Sequence, residues 1–143
     1  MLGVIAPLMD ITHYQQLPDG MDAPDVAREF ERLLSDAEHP DVLCVPIVEA
    51  LCELADRQWH TYEVLHPDLR ARVERWFQAH WLPDPKFVHL AAVVAAHLGL
   101  REVIPLLEQT AREFSETEFG REIRKTLAEI TPDIDDPYSG MRT

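Results

Sequence analysis

The chain has 143 residues, 46% of them hydrophobic and 27% charged, which is enough material for one domain with its own core and is not the composition of a disordered chain. Thirteen Lys and Arg stand against 26 Asp and Glu, a net charge of −13, and that field repels nucleic-acid phosphates and anionic membrane surfaces. No apolar run reaches the roughly 20 residues that cross a bilayer.

The opening Met1-Leu2-Gly3-Val4-Ile5-Ala6-Pro7 has no basic residue and soon meets Asp10, so it does not read as a secretory leader. With Pro18, Asp19 and Gly20 following, residues 1–23 are expected to form an irregular arm. Pro24 suits the first turn of a helix, where its missing N–H costs nothing. Val26, Phe30, Leu33, Leu34 and Ala37 then recur at helical spacing and predict a helix over 24–37. A second helix is expected from Pro40 to Gln58, with Leu43, Ile47, Leu51, Leu54 and Ala55 inward. After a broken turn over 59–66, a third helix starts near Pro67 and uses Leu69, Val73, Trp76 and Phe77. Pro83-Asp84-Pro85 ends it.

Phe87, Leu90, Ala91, Val94 and Leu98 mark the fourth helix, and Gly99 stands in the place of a helix-ending glycine. A fifth runs from Arg101 to Phe114 with Ile104, Leu107, Ala111 and Phe114 inward. Ser115-Glu116-Thr117-Glu118 has the form of a capping box and opens a sixth helix, with Phe119, Ile123, Leu127 and Ile130 on one face. Thr131-Pro132 stops it, and 131–143 reads as an acidic, loosely ordered tail. No segment alternates with period two. The expected fold is all-α, a single helical domain.

Cys44 and Cys52, eight residues apart on the second helix, would lie about 12 Å apart, too far for a disulfide. Buried free thiols in a reducing cytoplasm are the expectation. None of the seven histidines has a His partner three or four residues away, and no HExxH, Cys-x-x-Cys, phosphate loop or G-x-S-x-G elbow occurs. Asp133, Asp135 and Asp136 lack the remaining ligands of a calcium loop. The expectation is therefore no catalytic residues, no metal and no cofactor. A small metal-dependent enzyme built on the histidines and carboxylates of the middle region is the contrasting possibility.

Val45-Pro46-Ile47-Val48-Glu49 and Ile104-Pro105-Leu106-Leu107-Glu108 share one pattern 59 residues apart, each near the start of a helix. The stretch 87–107, with its Ala-rich first helix, Leu-Gly turn and Pro in the opening of the second, resembles a HEAT-repeat unit. Residues 26–54 resemble a second, degenerate one. The resemblance covers about 100 residues and is broken between 57 and 86. It implies a short α-α superhelix of about three hairpins, an irregular helical bundle being the alternative. It also implies a concave protein-binding surface on the second helix of each pair. In size, acidity and helical repetition the chain is similar to bacterial immunity proteins that neutralise toxins.

Acidity is densest in residues 1–56, which carry a net −10, against +2 for 57–101 and −5 for 102–143. Glu49, Glu53 and Asp56 form one stripe on the second helix, and Glu108 is the repeat counterpart of Glu49. Trp59 and Trp81 stand at helix ends, where a ring can anchor a partner or close the core. These six residues are the candidate surface for a basic protein such as a toxin domain, with an adaptor scaffold as the alternative use.

Overall fold

The computed structural model describes residues 10–39 and 43–135. Among these the chain forms seven α-helices and no strand. They are α1 (Ile11–Gln15), α2 (Ala23–Ala37), α3 (Cys44–Trp59), α4 (Pro67–His80), α5 (Pro85–Leu98), α6 (Ile104–Glu113) and α7 (Glu118–Ile130). Short 3₁₀ turns, Arg101–Val103 and Thr131–Asp133, precede α6 and follow α7. The fold is all-α, as the apolar spacing predicts.

Local chemistry sets most of the helix ends. Proline occupies the first turn of α2, α4, α5 and α6, where one of the otherwise unsatisfied N–H groups is simply removed. The Asp84 carboxylate accepts from the Phe87 N–H at 3.0 Å and caps α5. Gly99 closes that helix at φ 71°, a left-handed conformation that glycine adopts without strain. The start of α7 differs from the expected Ser115–Glu118 box. Thr117 is the cap, its hydroxyl accepting from Gly120 N–H at 3.1 Å and donating to Phe114 O at 2.6 Å.

Packing joins consecutive as well as alternate helices. The α3 helix lies along α5 and also packs on α2 and α1, while α2 contacts α4. The α6 helix packs chiefly on α7, more than on α5, its partner in the 87–107 unit. One continuous core results, with Phe30, Leu33, Leu51, Leu54, Phe77, Phe87, Leu98 and Leu107 fully buried. Leaving these side chains in water instead would cost about 1.5–3 kcal/mol each. Gly120 permits the close approach of α7 to the end of α6, because a Cβ there would overlap the Phe114 carbonyl.

The expected irregular arm contains α1. Tyr14 is 1% exposed, and His13 Nε2 lies 2.7 Å from Glu29 Oε2 on α2. Among residues 131–135 the tail is also packed: Ile134 is buried, and Asp135 pairs with Arg101. Residues 136–143, the rest of the expected tail, and Pro40, the expected start of the second helix, lie outside the described residues.

Candidate functional site

The acidic stripe on α3 is occupied from inside the molecule. Glu53 Oε1 accepts from Arg57 Nη1 at 2.6 Å, and Asp56 Oδ2 lies 3.6 Å from the same nitrogen. Arg57 itself is 6% exposed and donates through Nη2 to Leu17 O at 2.8 Å and Gln15 O at 3.4 Å. It thereby satisfies backbone oxygens at and just beyond the end of α1, where the helix leaves them without partners. Asp56 also lies 3.7 Å from His60 Nδ1, and Glu49 lies 3.5 Å from Lys86 Nζ on α5. Side-chain exposures of 35%, 33% and 45% for Glu49, Glu53 and Asp56 leave these groups half-exposed, each tied to a cation of the same molecule.

Glu108 is exposed and has no hydrogen-bond or ion-pair partner among the described residues. Its helix packs mainly on α7, whereas α3 packs on α1, α2 and α5. Trp59 meets the rings of His60 and His97 edge-on, at 5.5 and 5.8 Å. Trp81 donates from Nε1 to Thr110 Oγ1 at 2.8 Å and packs against Phe77 and Phe87. It closes the core between α4, α5 and α6.

The thiols are half-buried rather than fully buried. Burial pushes the Cys52 thiol up to about 12, reinforced by Glu53 and Glu49, and its S–H donates to Leu90 O at 3.4 Å. A thiol so held is protonated at neutral pH and is a poor nucleophile. No group of three or more His, Cys, Asp or Glu positioned to hold a metal occurs among the described residues.

Carboxylates left unpaired occur elsewhere, among them Asp22 and Glu31 at α2 and five on α6, α7 and their connection. Glu108, Glu116, Glu118, Glu122 and Glu129 are exposed and have no ion-pair or hydrogen-bond partner among the described residues. On α7, Glu118, Glu122 and Glu129 fall within a narrow sector at 100° per residue, while Arg121, Arg124 and Lys125 lie to one side of it. A like-charged pair at i and i+4, such as Glu118 and Glu122, costs a helix a few tenths of a kcal/mol.

That acidic sector forms one wall of a groove. Its apolar lining is Val88 and Ala92 from α5, Leu107 from α6 and Ile123 from α7, all nearly buried, with half-buried Phe119 from α7, and the open groove has a volume of about 450 Å³. His89, Glu118, Glu122 and Thr126 provide its polar edge. None of the six residues singled out from the sequence lines it. The available signal was the Glu118–Glu122 spacing beside Phe119 and Ile123, but no motif marks three helices as neighbours. A second, smaller hollow of about 190 Å³ lies between α2 and α4, edged by Glu38, Arg72 and Arg75.

No protein-family model matches the chain, and neither a curated protein nor a solved structure matches it. No helix among the described residues is long and apolar enough to cross a membrane.

Proposed function

We propose that this chain works by binding a basic protein, and most concretely that it is an immunity-type inhibitor covering the basic substrate cleft of a toxin. The observation that carries this reading is the set of exposed, unpaired carboxylates on α6, α7 and their connection: Glu108, Glu116, Glu118, Glu122 and Glu129. Together with the net −13, they make a field that speeds encounter with a cationic surface and repels anionic competitors. An enzyme that handles anionic substrates presents such a cationic surface, so an acidic inhibitor complements it. The stacking of α2 on α4 and of α3 on α5 supports a HEAT-like arrangement of hairpins, a scaffold suited to broad protein contacts. In this reading Glu49, Glu53, Asp56 and Trp81 hold the scaffold together.

The test is affinity capture from the native host, using as bait the wild type and the exposed pair variant Glu108→Lys/Glu116→Lys. The expected result is a basic protein retained at about 50 mM salt, released towards about 500 mM, and depleted on the variant. Retention of only acidic proteins, or equal retention by both baits, contradicts the proposal.

A further inference from the structure

We infer that the groove between α5 and α7 receives an amphipathic segment of the partner protein, whose apolar side chains enter it while its Lys or Arg residues meet Glu118 and Glu122. This deepens the protein-binding proposal above and rests on it.

The groove has the form such a segment needs. On α5 it is lined by Pro85, Val88, His89 and Ala92, a stripe at i, i+3, i+4 and i+7. At 1.5 Å per residue that wall runs for about 10 Å, and the α7 wall from Glu118 to Thr126 for about 12 Å, matching two turns of a docked helix. A hollow of about 450 Å³ is too small for a whole helix but takes a few side chains from one face of it. Leu107, fully buried on α6, sits between the walls and keeps the bottom apolar.

Charge decides the occupant. The edge carries two carboxylates from successive turns of α7, and no Lys or Arg lines the groove. Neither carboxylate, nor the His89 ring, has a side-chain hydrogen bond or ion pair among the described residues. A segment with Lys or Arg beside its apolar face relieves the Glu118–Glu122 repulsion as it binds. An acidic segment would add to that repulsion and is excluded from the same groove. Apolar contact supplies the residence time and the carboxylates supply the selection.

The probe is a display library of random 16-residue peptides, selected on the full chain. The readout is the affinity of the enriched peptides for wild type, Thr126→Trp and Glu118→Gln/Glu122→Gln. Thr126 is half-buried on the groove edge, so Trp there fills the groove without entering the core. Circular dichroism confirms that each variant remains helical. Enriched peptides should pair apolar residues at i and i+3 or i+4 with adjacent Lys or Arg, and should bind Thr126→Trp at least about tenfold more weakly. The double Gln variant should weaken them about fivefold in low salt and little in high salt. Peptides that bind wild type and Thr126→Trp equally, peptides enriched in acids, or no enrichment overturn the inference. A wild-type dimer in sedimentation that Thr126→Trp dissociates also overturns it, by making a second copy the occupant. Groove-independent binding of the native basic protein would sink the groove while sparing the protein-binding proposal. Groove-binding peptides without any basic partner in the capture experiment would do the reverse.

Discussion

Replacing Arg57 by Ala removes the polar link between α1 and α3. Arg57 is 6% exposed, and its guanidinium donates to Glu53 Oε1, Leu17 O and Gln15 O. Truncation leaves Glu53 without its cation and the two carbonyl oxygens without a protein donor. Breaking a buried ion pair costs about 3–5 kcal/mol, and Glu53 is partly exposed, so about 3 kcal/mol is expected. With a urea dependence of about 2 kcal/mol per molar, the midpoint should fall by about 1.5 M. Hydrogen exchange should show α1 losing protection first, because only the packing of Ile11 and Tyr14 and the His13–Glu29 pair then hold it. Arg57→Lys keeps the charge but not the forked donors, and should recover part of the loss. Glu53→Gln should cost less, about 1 kcal/mol, since the carbonyl bonds of Arg57 survive. A midpoint change below about 0.3 M for Arg57→Ala would refute the assignment of α1 as a latched element. The same geometry makes Glu53→Lys a poor probe of binding, because it sets a second cation against Arg57.

Gly120→Ala puts a methyl group into the Phe114 carbonyl and should destabilise by about 2 kcal/mol, lowering the melting temperature by roughly 8 °C in calorimetry. Trp81→Phe keeps the ring packing with Phe77 and Phe87 but strips Thr110 of its indole donor. It should cost about 1 kcal/mol in urea unfolding, whereas Trp81→Ala should cost about 3 or more. Burial pushes the Tyr14 hydroxyl up to about 12 and the Cys52 thiol to about 12. Both are raised above their unfolded values of 10.0 and 9.0, so the folded state holds protons that the unfolded chain releases. Their stabilisation is complete below about pH 9 and is lost as pH climbs towards about 12. Unfolding curves across that range should show falling stability, and Tyr14→Phe should flatten its upper part.

Legibility in the sequence followed the range of the interactions. Pro24, Pro67 and Gly99 act on their own turns, so the helices they start or end were readable within a few residues. The α1 helix was not, since five residues are too few to show a 3.6-residue period, and its anchor Arg57 lies 40 and 42 positions from its acceptors. At the α6–α7 junction both Ser115 and Thr117 offer a capping hydroxyl, and the close packing around Gly120 favours Thr117. Charge counting assigns no partners, so in the sequence the α3 stripe looks like a free acidic surface. Glu53 and Arg57 at i and i+4 were the visible sign of internal pairing. The net charge per segment therefore placed the acidic surface in the first third of the chain, where many carboxylates are engaged. Asp22 and Glu31 there stay unpaired, as do five carboxylates on α6, α7 and their connection, a distinction that charge counting does not make.

The most direct measurement is a titration of the captured basic protein, purified, against wild type and Glu118→Lys/Glu122→Lys from about 50 to about 500 mM salt. Affinity should drop at least about tenfold on charge reversal at low salt, with the two curves converging as salt rises. Affinity indifferent to both substitutions and to salt would contradict recognition through these carboxylates.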